Sequence, residues 1–156
     1  MLVKKATSIV LFFLFAGFSA LAQQPQPVDA SKAEIKQFAQ AFMDVQTINN
    51  QSQQEMIQAI QKEGMEVPRF NEIQQASQDP NMEADASEEE MSTFEKISSS
   101  LASIQEKVQK QMEGKIVESG LTIKRYQKIA MSLQNDQDLQ QRVQQELQKL
   151  QQNQQQ

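Results

Sequence analysis

Residues 38–73, FAQAFMDVQTINNQSQQEMIQAIQKEGMEVPRFNEI, return as residues 94–129, FEKISSSLASIQEKVQKQMEGKIVESGLTIKRYQKI, at a constant offset of 56 and without a gap. The register matches Phe38 with Phe94, Ile48 with Ile104, Met56 with Met112, Ile60 with Ile116, Gly64 with Gly120, Arg69 with Arg125 and Ile73 with Ile129. Softer matches lie between them: Val45/Leu101, Met65/Leu121, Val67/Ile123 and Phe70/Tyr126. Glycine, arginine and apolar positions conserved at one fixed spacing mark a duplicated supersecondary unit.

Each copy reads as a long helix, a glycine bend and a short helix. Ser31-Lys32-Ala33-Glu34 is a capping-box signature, in which the serine oxygen accepts from a backbone N–H and the glutamate reaches back. Behind it Ile35, Phe38, Phe42, Val45, Ile48, Met56 and Ile60 recur in steps that suit one helical face. Gly64 then stands where a helix end calls for a left-handed residue. Pro68 suits the first turn of a short helix carrying Val67, Phe70 and Ile73, and Pro80 disfavours helix in the residue before it. Ser87 and Glu90 open the second copy with another capping box. Met91, Phe94, Ile97, Leu101, Ile104, Val108, Met112 and Ile116 form its stripe, interrupted by Gly114. After Gly120, Thr122 caps a short helix carrying Ile123, Tyr126, Ile129 and Leu133. A further helix, over about 138–150 with Asp138 as its cap, aligns Leu139, Val143, Leu147 and Leu150 and has no counterpart in the first copy.

The expected fold is therefore all-α: a duplicated long-helix/short-helix unit forming an elongated antiparallel bundle, plus a C-terminal helix. One domain is expected over 31–150, its repeats at about 31–78 and 87–134. Neither half is expected to stand alone, because each exposes an apolar stripe with nothing to cover it. Residues 23–30 read as a Pro/Gln linker, 79–90 as an acidic connector and 151–156 as a Gln-rich tail. Apolar residues make up only 38% of the chain, which favours a slender helical assembly over a multilayer fold.

Residues 1–22 read as a cleaved signal peptide. Lys4 and Lys5 precede an apolar run, and Ala20-Leu21-Ala22 supplies the small-x-small pattern, so the mature chain is expected to begin at Gln23. The run is shorter than the roughly 20 residues of a spanning helix, and no transmembrane segment is expected after its removal. The expected location is periplasmic or secreted. The chain has no cysteine, so neither disulfides nor a lipid-modified cysteine is available. Removing Lys4 and Lys5 takes the net charge from −5 to −7.

Few residues offer chemistry. Without His or Cys, neither the Ser-His-Asp scheme nor the usual zinc ligands can be assembled. Carboxylate pairs can hydrolyse glycosides, yet here the acids lie on solvated helix faces, and no catalytic, cofactor-binding or metal residue is assigned. Residues 70–95 hold Glu72, Asp79, Glu83, Asp85, Glu88, Glu89, Glu90 and Glu95 with no Lys or Arg. They lack the turn glycine and spacing of a calcium loop and read as a solvated connector with helix-start acids. Lys124, Arg125 and Lys128 form a small basic patch, but net negative charge and five mature aromatics argue against nucleic acid. An ion pair with a connector suits that patch better. Arg69 and Arg125 are also expected to bond the last carbonyls of the preceding long helix. Met56 and Met112 read as core filler.

The segment Gly120-Leu121-Thr122-Ile123-Lys124-Arg125-Tyr126-Gln127-Lys128-Ile129, followed by Asp138-Leu139-Gln140-Gln141-Arg142-Val143, resembles the bacterial family called domain of unknown function 4168. Gly64-Met65-Glu66-Val67-Pro68-Arg69-Phe70-Asn71-Glu72-Ile73 resembles it again, with Met65-Glu66 in place of the usual Leu-Ser/Thr. The resemblance covers about residues 31–147. It implies an exported helical protein and brings no catalytic residue or ligand. A likeness of class only links Leu121-Thr122 to small periplasmic stress chaperones of the Spy type. The functional expectation is a non-enzymatic interaction or structural protein of the cell envelope, its partner another envelope protein or a second copy. The alternative is a chaperone holding unfolded clients.

Overall fold

The computed structural model describes residues 28–78 and 85–153. The expected signal segment 1–22, most of the expected linker, connector residues 79–84 and the last three residues of the tail lie outside them. Five helices follow in order: α1 Lys32–Lys62, α2 Val67–Gln78, α3 Glu88–Glu118, α4 Ile123–Ser132 and α5 Gln137–Asn153. The offset of 56 carries α1 onto α3 residue for residue, and the start of α2 onto the start of α4. At 31 residues each, the long helices extend about 46 Å.

The ends of the helices follow local chemistry. Ser31 and Ser87 close complete capping boxes with Glu34 and Glu90, and the Thr122 hydroxyl accepts from the Arg125 amide at 3.2 Å. Gly64 and Gly120 take φ of +81° and +96°, where a Cβ is strained. After α1 the Gly64 amide bonds the Gln61 carbonyl at 3.0 Å and the Met65 amide the Ile60 carbonyl at 3.4 Å. That pairing satisfies carbonyls the helix end would otherwise leave open. Gly114 continues through α3 with open space around it.

The long helices run antiparallel, so the start of each meets the end of the other. One core joins Ile35, Phe38 and Ala41 of α1 to Ile116, Leu121 and Ile129 from the end of the second copy. The other joins Ile60, Met65, Phe70 and Ile73 from the end of the first copy to Ile97 of α3. Aromatic pairs repeat the exchange: Phe38 stacks on Tyr126 at 4.8 Å between centroids, and Phe94 meets Phe70 at 5.0 Å. Each short helix thus packs under the long helix of the other copy. Between the two ends, Met56, Met112, Val108 and Ser52 are buried, with the Ser52 hydroxyl bonded to the Asn49 carbonyl at 2.9 Å. The methionines sit in the core as filler. An exposed Lys107–Glu55 pair at 3.2 Å links the long helices, worth at most about 1 kcal/mol.

α5 adds Leu139 and Val143 to the first core only. Its cap is Asp136, whose carboxylate accepts from the Leu139 amide at 2.9 Å; the expected cap, Asp138, instead pairs with Arg142 at 3.5 Å in the first turn. The helix therefore starts at Gln137 and runs on to Asn153. The end of the expected linker is also structured: Ala30 is buried and Val28 packs on the first core.

Candidate functional site

Among the described residues, two arginine clasps, one at each end of the bundle, gather the most polar partners. Arg125 lies in the first turn of α4, held there by the Thr122 cap. Its Nε donates to Glu34 Oε1 at 2.7 Å and its Nη2 to Glu34 Oε2 at 3.2 Å. The same Nη2 donates to the Asp29 carbonyl at 2.8 Å. Glu34 Oε2 also accepts from the Ser31 amide and hydroxyl, both at 2.9 Å. Arg69 repeats the arrangement from α2. Its Nε donates to Glu90 Oε1 at 2.8 Å, its Nη2 to Glu90 Oε2 at 3.1 Å and to the Asp85 carbonyl. Arg69 further pairs with Glu72 at 3.0 Å.

Asp29, Glu34 and Arg125 in one clasp therefore correspond to Asp85, Glu90 and Arg69 in the other. Each arginine, carried by one copy, grips the capping box that opens the long helix of the other. This corrects the expectation that Arg69 and Arg125 bond the last carbonyls of their preceding helices. The glycine turn and the following amides already satisfy those carbonyls, and the antiparallel packing brings the opposite helix start within reach of the guanidinium. The signal was present in the sequence as Asp29-Ala30-Ser31 with Glu34 and Asp85-Ala86-Ser87 with Glu90, which extends the repeat back beyond Phe38.

Bidentate, charge-assisted bonds of this kind strongly favour the ionised acid. The Arg125 hydrogen bond, helped by the Ser31 amide and hydroxyl, holds the Glu34 carboxyl at about 2 against an ordinary 4.5. The Arg69 bond and then the Ser87 amide hold Glu90 at about 2 likewise. Both arginines are pushed above their ordinary value, Arg125 by Glu34 and Arg69 by Glu90 and Glu72. A carboxylate so stabilised is a poor proton donor or acceptor near neutral pH, where an acid–base catalyst needs a value close to the working pH.

An apolar hollow of about 180 Å³ lies between α1, the end of α4 and α5, lined by Phe38, Phe42, Leu133, Gln140, Val143, Gln144 and Leu147. Ligand pockets generally hold about 300 Å³ or more, so it suits at most a small apolar group. Among the described residues, no group of three or more His, Cys, Asp or Glu side chains is placed to hold a metal ion. The acids Asp79 and Glu83 of the connector lie outside the described residues. Lys124 and Lys128 of the basic patch are exposed, whereas Arg125 turns into its clasp. No described helix is long and apolar enough to cross a membrane.

A family model described as a domain of unknown function, DUF4168, matches the chain twice, over residues 18–84 and 81–143. Each match takes in one long–short helix pair. No curated protein and no solved structure matches the chain.

Proposed function

We propose, for a chain that belongs to the family of domain of unknown function 4168 and carries its unit twice, a role as an exported, non-enzymatic helical interaction protein of the cell envelope. The observation that carries this reading is the use made of its perturbed acids. Glu34 and Glu90, the carboxylates held at about 2, are both saturated, by capping-box bonds within their own copy and by an arginine that joins them to the other copy. Their chemistry serves the architecture and leaves neither poised for proton transfer. The absence of His and Cys from the whole sequence removes the commonest nucleophile–base pairs. Export is supported by the basic start, apolar run and Ala20-Leu21-Ala22 pattern. What remains for the molecule to offer is helical surface rich in glutamine and charge.

The test is crosslinking in the native host followed by affinity recovery, together with intact mass on the recovered protein. The proposal expects a chain starting at Gln23 and a specific envelope partner. A membrane-bound chain retaining Met1 overturns the exported reading. No specific partner, combined with suppression of client aggregation near a one-to-one ratio, overturns the interaction reading in favour of a chaperone.

A further inference from the structure

The two ends of the bundle are built alike and covered differently. At the first end α5 lies along α1. Leu139 and Val143 close the core over Ile35 and Phe38, and Arg142 donates to the Ala30 carbonyl at 2.6 Å. Glu146 of α5 sits in the field of Lys32 and Lys36. Its carboxyl is lowered first by its bond to Lys149 and further by those two lysines.

At the second end no described element occupies the equivalent place. Ala86, Met91 and Phe94 are partly exposed, whereas their counterparts Ala30, Ile35 and Phe38 are buried. The charges around the place are inverted. Glu88 stands for Lys32, Ser92 for Lys36, Glu89 for Ala33 and Glu95 for Ala39. Glu88, Glu89 and Glu95 are all exposed. The cations of this region are Lys96, exposed, and Arg69, already held by Glu90 and Glu72. A face given over to water needs polar residues of either sign; here Glu88, Glu89 and Glu95 add negative charge around an apolar strip, and only Lys96, standing for Gln40, adds positive charge.

We propose that this face of α3 receives an amphipathic helix of a partner protein, in the place α5 takes on α1, with Lys or Arg where α5 carries Glu146. The proposal rests on the reading of the protein as an interaction module and names the chemistry of its partner. Apolar residues of the incoming helix cover Met91 and Phe94, and its basic residues face Glu88 and Glu95. This is helix-in-groove recognition with complementary charge at the rim.

The probe is a fluorescent peptide of residues 137–153 carrying Asp138→Lys and Glu146→Lys, compared with the unaltered peptide, whose Asp138 and Glu146 balance Arg142 and Lys149. Both are titrated by anisotropy against the purified protein. The basic peptide is expected to bind about tenfold tighter, an advantage that fades in 1 M salt, where charges are screened beyond about 3 Å. Glu88→Gln with Glu95→Gln, both at exposed positions, is expected to remove the preference. Lys32→Gln with Lys36→Gln at the opposite end is expected to leave it intact. Equal binding of the two peptides, no binding at about millimolar peptide, or a preference that survives Glu88→Gln with Glu95→Gln overturns the proposal. None of these results touches recovery of an envelope partner by crosslinking, which decides the broader function separately.

Discussion

Replacing Arg125 by Met removes one clasp while keeping most of the side chain's length. The structure fixes what is lost: two bonds to Glu34 at 2.7 and 3.2 Å and one to the Asp29 carbonyl at 2.8 Å. Lowering the Glu34 carboxyl from 4.5 to about 2 corresponds to about 3 kcal/mol if nothing is screened. Ser31 supplies part of that, and solvent reaches 29% of each partner's side chain, so the share of Arg125 is about 1–2 kcal/mol. For a domain of this size the melting temperature should fall by about 3–10 °C. The informative design is a double-mutant cycle of Arg125→Met and Glu34→Gln, read by urea denaturation between pH 7 and pH 2. Because the folded carboxyl titrates below the unfolded one, the clasp stabilises fully above about pH 4.5 and loses its contribution as pH falls toward about 2. The coupling energy should follow that curve. A coupling near zero at pH 7, or one equally large at both ends of the range, would refute the assignment of the clasp as a stabilising ion pair.

Three further outcomes follow from the same geometry. Gly114→Ala should stabilise by about 0.5–1 kcal/mol in thermal melts, since the helix interior gains and the added methyl meets nothing. Gly120→Val should destabilise by about 1 kcal/mol or more, because φ is +96° and the new Cβ approaches the Gln37 amide; an unchanged melting temperature would contradict that turn. Phe38→Ala should cost about 3–5 kcal/mol and Phe94→Ala distinctly less in the same denaturation assay, because α5 seals only the end that holds Phe38.

Much of the architecture is legible in the chain. The alternation of long and short helices, the two glycine bends and the caps at Ser31, Ser87 and Thr122 depend on local spacing and local bonds, which a sequence displays directly. The arginine partners are not local. Arg125 and Glu34 stand 91 residues apart, and only the antiparallel meeting of α1 and α3 joins them. Reading 23–30 as a linker missed Val28 and Ala30, because their apolar character is too brief to register as periodicity and their burial comes from the first core and α5. The choice between Asp136 and Asp138 as cap turned on the preceding turn, where the Asp136 amide bonds the Ser132 carbonyl at 3.0 Å and fixes the helix start two residues earlier. The inverted charge around the α3 face is visible only once α5 shows what the corresponding face of α1 holds.

The central structural claim is that each copy completes the core of the other, and it is tested most directly by separating them. Residues 28–78 and 85–153, made as two polypeptides, should each show weak helicity and no cooperative melt by circular dichroism, since Phe38 lacks Tyr126 in the first and Phe94 lacks Phe70 in the second. Mixed at equal concentration, they should form a one-to-one complex with a sharp, concentration-dependent transition. A sharp melt from either piece alone, unchanged on mixing, would contradict the reciprocal core.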